Sequence, residues 1–110
     1  MVDVLTPKQV HELLTSDEDV VVIDVLGAEY FRKQHLPKAI NIPLEVLESI
    51  VTDVVEHHRT VVVYCYDKGC HASDQAAATL KEMGYDHVFD LAEGIEGYKQ
   101  AGFSVTEYPH

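Results

Sequence analysis

Val20-Val21-Val22-Ile23-Asp24-Val25 is a run dominated by β-branched residues, and Thr60-Val61-Val62-Val63-Tyr64 repeats the pattern further along the chain. A strand with one face in water alternates apolar and polar residues. A strand covered on both faces carries stiff apolar side chains at nearly every position. Two such runs with helical segments between them point to a parallel sheet covered by helices, hence an α/β fold. Between the runs, Ala39-Ile40-Asn41-Ile42 reads as a short strand, and Pro43 opens a helix with Leu44, Leu47 and Val51 on one face. Residues 52–59 continue as a helix of weak pattern, leaving His57-His58 at a solvated helix end. Upstream, Thr6-Pro7-Lys8-Gln9 supplies a capping hydroxyl, a proline at the first helical position and a Gln at the capping-box position. A helix over Pro7–Thr15 follows, then a polar turn at Ser16-Asp17-Glu18-Asp19. Downstream, residues 72–83 form a helix stopped by Gly84, with Ala76, Leu80 and Met83 toward the sheet. His87-Val88-Phe89-Asp90-Leu91 is another strand, and residues 95–100 form a last short helix stopped by Gly102.

The chain has 110 residues, 46% of them hydrophobic, and reads as a single domain over residues 1–110. A mass of 12.3 kDa corresponds to a folded surface of roughly 6,100 Å², enough burial for a core without a metal or disulfide staple. Nineteen acidic against eight basic residues give a net charge of −11, which repels phosphate backbones and anionic lipid. Neither nucleic acid nor membrane is an expected partner. The start, Met1-Val2-Asp3-Val4, has no basic stretch leading into an apolar run, and a cytoplasmic location is expected. Cys65 and Cys70 lie in one short segment, a poor staple for a secreted fold and a plausible reactive site in a reducing compartment.

Cys65 ends the second buried run and is followed by a loop and then a helix. Open α/β sheets bind ligands at that edge. Amides of the loop Tyr66, Asp67, Lys68, Gly69, Cys70 and His71 form a candidate anion nest, and the helix start adds partial positive charge. Both effects favour a thiolate, the reactive form of cysteine. The alternative is a small buried hydrophobe at a strand end.

The chain resembles the rhodanese-like sulfurtransferases, specifically the single-domain kind, from Thr6 to Val105. The matching parts are Val21-Val22-Ile23-Asp24-Val25, Glu29-Tyr30-Phe31, His35-Leu36-Pro37 with Ala39, Asn41 and Pro43, then Val63-Tyr64-Cys65. Ser73, Ala76-Ala77, Leu80, Gly84-Tyr85, Gly94, Tyr98, Gly102 and Val105 complete the series. The resemblance implies a three-layer fold with a central, mainly parallel sheet flanked by helices. It also implies a catalytic Cys65 that carries a persulfide cradled by loop amides. No cofactor is expected, and no metal, because Cys65, Cys70 and His71 have no fourth ligand at standard zinc spacing. Five positions depart from the pattern. Leu26 replaces an Arg, Gln34 and Lys38 replace glycines, Glu93 replaces the first of two glycines, and Tyr98 replaces a Trp. The loop from Cys65 to Ser73 is two residues longer than the common pattern. That length is shared with related phosphatases, which need an Arg where His71 stands, so phosphatase activity is disfavoured.

The expected chemistry is a two-step sulfur transfer, in which Cys65 takes sulfane sulfur from thiosulfate or from a thiol or protein persulfide. A thiol, cyanide or a partner sulfur-carrier protein then accepts it. Lys68 is the loop's one formal cation and Asp67 opposes it, so thiosulfate is expected to be the poorer donor. Cys70 is a candidate resolving thiol if its Cα lies roughly 4.4–6.8 Å from that of Cys65, and otherwise a packing residue. His71 either lowers the Cys65 pKa or meets solvent, and His35 reads as a structural hydrogen-bonding residue. Two other classes stay open: a thiol redox sensor or reductase using Cys65 and Cys70, and a catalytically silent interaction domain. Monomer and homodimer are equally compatible with the sequence.

Overall fold

The computed structural model describes residues 2–16 and 19–108. In chain order the elements are β1 (Asp3–Val4), α1 (Pro7–Thr15), β2 (Val20–Asp24), α2 (Ala28–Lys33), β3 (Gln34–His35) and β4 (Ala39–Asn41). A 3₁₀ turn (Leu44–Val46) leads into α3 (Leu47–Val54), β5 (Thr60–Tyr64), α4 (Ala72–Glu82), β6 (His87–Leu91), α5 (Gly94–Gln100) and β7 (Thr106–Glu107). The Asp17-Glu18 part of the expected turn lies outside the described residues.

The main sheet has the order β1-β6-β5-β2-β4 and is wholly parallel, while β3 pairs antiparallel with β7 beside it. The central strand β5 shows why its run is apolar throughout. Val61, Val63 and Cys65 pack with Leu47, Val51, Ala76, Ala77 and Leu80 of α3 and α4. Val62 and Tyr64 pack on the other face with Val10, Leu14, Ile95 and Tyr98 of α1 and α5. Each helical layer claims every second residue of the strand. The surface is 6180 Å², close to the value expected from mass.

The sequence signals hold where local chemistry is strong. The Gln9 N–H donates to Thr6 Oγ1 at 3.2 Å and the Thr6 N–H to Gln9 Oε1 at 2.8 Å, closing the capping box that starts α1. Helix α4 is rich in alanine on its inner side, and the chain leaves it through Gly84 at φ +97°. The expected helix over residues 52–59 is corrected: α3 ends at Val54, and Val55 turns extended (φ −132°, ψ 122°). Its buried side chain belongs to the core, and its carbonyl accepts the Tyr85 hydroxyl at 2.6 Å, so tertiary contacts override the helix. His57 and His58 therefore lie in an exposed turn, where His57 stacks on Tyr85. The first expected strand stops at Asp24, and the helix after Pro43 begins as a 3₁₀ turn.

Lys38, standing where the family pattern has glycine, adopts φ +67°. The backbone there needs the left-handed region, and a non-glycine residue pays about 1 kcal/mol for it. Its Nζ donates to the Leu14 carbonyl at 3.1 Å, which ties the turn to the end of α1.

Candidate active site

Cys65 emerges from the carboxyl end of β5, is 1% exposed, and faces the first turn of α4. Its Sγ lies 3.5 Å from Ser73 Oγ and 3.3 Å from the Cys70 carbonyl oxygen. The Cys65 and Cys70 sulfurs are paired as a disulfide, with the Cα atoms 6.3 Å apart, inside the range that the spacing requires.

The loop is ordered by Asp67. Its carbonyl accepts the Cys70 N–H at 3.1 Å, and its Oδ1 accepts the Gly69 N–H at 3.0 Å. In this disulfide form two of the amides expected to face an anion are thus engaged inside the loop. Tyr66, Lys68 and Gly69 are exposed. His71 precedes α4, and its Nδ1 lies 3.5 Å from Asp74 Oδ2 at the surface, so it meets solvent and Asp74. His35 is buried, donates through Nδ1 to the Phe31 carbonyl at 2.9 Å and stacks on the Phe31 ring, a structural role.

Both flanks of the loop are braced. Asp24 Oδ2 accepts the Tyr64 hydroxyl at 2.8 Å, and its Oδ1 accepts the Leu26 N–H at 2.9 Å. The Tyr64 hydroxyl in turn accepts the Leu36 N–H at 3.0 Å. Burial raises the Asp24 carboxyl and, with help from the Asp24 charge, the Tyr64 hydroxyl, so the proton stays on the tyrosine. Asn41 Nδ2 donates to the Asp24 and Leu26 carbonyls, holding the segment where the family pattern places an Arg. On the far side, the Ile95 N–H donates to the Cys65 carbonyl and the Glu96 N–H to the Tyr66 carbonyl, each at 3.0 Å.

Gly94 makes that docking feasible. Its φ is +68°, and a Cβ there would sit 2.5 Å from the Tyr66 carbonyl carbon and oxygen. Gly94→Ala is expected to cost roughly 2–4 kcal/mol, because backbone strain and a backbone clash act together. Thermal denaturation of the variant measures this, and an unchanged Tm would show that the loop is not pinned there.

Beneath the site lies a group that the sequence reading does not reach. Asp90 is opposite Val63 across the β5–β6 ladder, on the face shared with Val88 and Cys65, and is fully buried. Neither of its oxygens reaches hydrogen-bond geometry with a partner among the described residues; its polar neighbours are Ser73 and Asp74. Burial, reinforced by Asp74, pushes the Asp90 carboxyl up to about 7. Asp74, held below the usual carboxylate range by Asp90 and then by His71, keeps the charge at the surface. The signal was present in His87-Val88-Phe89-Asp90-Leu91 as a carboxylate in step with Val88, but it carries meaning only once the register is known.

Two hollows flank the loop. One, of about 270 Å³, is lined by Asp67, Lys68, Gly69, Glu93 and Glu96 among others; the other, of about 240 Å³, by Leu26, Tyr30, Lys33 and Tyr66 among others. Among the described residues no three His, Cys, Asp or Glu side chains gather as a metal site, and no helix is long and apolar enough to cross a membrane.

With a parallel sheet between two helical layers and a cysteine at the end of its middle strand, the chain belongs to the rhodanese-like domain family, whose model matches residues 6–101. It is 48% identical over 67 residues to the thiosulfate sulfurtransferase PspE of Escherichia coli K12, covering 60% of this chain and 62% of that protein. The match to PspE thus spans less than two thirds of that relative. Similarity to the thiosulfate sulfurtransferase GlpE of Actinobacillus succinogenes is 30% identity over 101 residues, covering 92% of this chain and 87% of that one. The crystal structure of the BH2092 protein from Bacillus halodurans has the same fold, with a TM-score of 0.88 at 24% identity over 96% of this chain and 77% of that one.

Proposed function

We propose that the protein is a sulfurtransferase in which Cys65 carries sulfane sulfur from a donor to a thiophilic acceptor. The observation that carries this reading is the placement of Cys65: buried at the end of β5, beside Ser73 and the first turn of α4, in a chain of this family. With the Cys65–Cys70 pair reduced, the Cys65 thiolate attacks the outer sulfur of the donor and expels sulfite or a thiolate. The terminal sulfur of the resulting persulfide is anionic. The Ser73 hydroxyl and the amides opening α4 supply donors and a dipole to hold it. An acceptor thiol or cyanide removes the sulfur and restores Cys65. Intact mass spectrometry after exposure to a donor tests this: the reduced protein gains one sulfur atom, and no gain overturns the reading.

A small-thiol persulfide is the preferred donor. The hollow on the α5 side sets Asp67, Glu93 and Glu96 around the single Lys68, a poor setting for a dianion. The other hollow offers Leu26, Tyr30 and Tyr66 to an apolar body and Lys33 to a carboxylate. Steady-state kinetics at physiological salt are expected to give a higher kcat/KM for the persulfide than for thiosulfate. Lys68→Ala lowers kcat/KM for thiosulfate several-fold more than for the persulfide; equal losses, or a wild-type preference for thiosulfate, contradict this assignment.

A further inference from the structure

We infer that the protein has a second activity, in which Cys70 discharges the sulfur held on Cys65 as hydrosulfide; this rests on the reading that Cys65 carries a persulfide. The two sulfurs of one short loop are already paired, at a Cα separation of 6.3 Å. The turn that presents Cys70 is built into the loop by the Asp67 carbonyl and carboxylate on the Cys70 and Gly69 amides. Cys70 therefore meets Cys65 as an intramolecular nucleophile, at an effective concentration on the order of millimolar or above.

The step balances without an outside oxidant. The Cys70 thiol loses its proton, its sulfur attacks Sγ of the Cys65 persulfide, the bond between the two persulfide sulfurs breaks, and HS⁻ departs. Two cysteines are oxidised to the disulfide by two electrons, and the sulfane sulfur accepts those electrons as sulfide. A dithiol reductant closes the cycle by becoming a disulfide itself.

The unequal burial of the two sulfurs gives this cycle a direction. Cys65 is 1% exposed and lies against Ser73, whereas Cys70 is only partly buried at the edge of the core. An incoming dithiol reaches Cys70 and forms the mixed disulfide there. Cys65 leaves as the thiolate, beside the donors at the start of α4, ready for the next sulfur. Transfer to an acceptor and release as hydrosulfide then compete for one persulfide, with the acceptor concentration deciding the outcome.

The test is a single turnover without acceptor. The fully reduced protein is loaded anaerobically with one equivalent of a small-thiol persulfide, freed of small molecules, and followed by intact mass and by a colorimetric hydrosulfide assay. Wild type is expected to gain one sulfur, then lose it with release of one equivalent of hydrosulfide, ending two hydrogens lighter than the reduced protein. Cys70→Ser and Cys70→Ala are expected to remain one sulfur heavier and to release hydrosulfide at least about tenfold more slowly. A wild type that keeps its sulfur, or variants that release it equally fast, overturns the inference while leaving the persulfide carrier standing. Failure of wild type and variants alike to gain sulfur overturns both readings.

Discussion

Replacing Cys65 with Ser is expected to lower sulfur transfer at least about a thousandfold while the protein stays folded. The loss is chemical. A serine hydroxyl is hardly ionised at neutral pH and forms no persulfide, so neither half of the reaction has a carrier. The fold tolerates the exchange because the hydroxyl is nearly the size of the thiol and keeps two polar neighbours, Ser73 Oγ and the Cys70 carbonyl. Circular dichroism melts under reductant, where no disulfide contributes, should agree within a few degrees. A folded variant with wild-type turnover would remove Cys65 from the mechanism.

Asp90→Asn is expected to stabilise the protein at pH 8 and to leave it nearly unchanged at pH 4. In the unfolded chain Asp90 titrates near 3.8, and in the folded protein near 7. Below the first value the carboxyl is neutral in both states. Between the two, the folded state holds a proton that the unfolded state has released, so stability falls as pH rises. Above the second value a bare carboxylate is buried and the whole penalty is present, on the order of 4 kcal/mol. Asparagine has no charge to bury, and its amide meets Asp74 and Ser73. Urea denaturation of both proteins from pH 4 to 8 measures the difference, and a gap independent of pH would refute the assignment.

What could be read from the residues alone follows the range over which each signal acts. The buried strands Val20–Asp24 and Thr60–Tyr64 were legible because two-sided burial writes itself into consecutive residues. Helix α1 was legible because its capping box closes within four residues. Helix α2 (Ala28–Lys33) was not: it has no buried residue and no side-chain cap, so neither periodicity nor a start signal marks it. The two-residue strands β1, β3 and β7 likewise exist only through their partners. At the site, strand and loop context singled out Cys65, and spacing singled out Cys70. Asp67 as the organiser of the loop, and Asp90 as a buried acid beneath it, depend on hydrogen bonds and strand register that no single stretch contains.

The docking of Cys65 and Tyr66 onto the start of α5 also divides the loop after β5 into fixed and interchangeable parts. Up to Tyr66 the backbone is held by strand β5 and by the Ile95 and Glu96 amides; from Ala72 it is held by α4. Residues 67–71 span these anchors as a turn closed by Asp67 and tied back to the strand end by the Cys65–Cys70 pair. The exposed tip at Lys68 and Gly69 can change in side chain and length at the cost of little more than loop closure, which grows only slowly with length, whereas Asp67 and Cys70 are tied into the turn. Surface chemistry at the loop tip is thereby uncoupled from folding: exchanges at Lys68 and Gly69 change what the hollow on the α5 side presents without renegotiating the core.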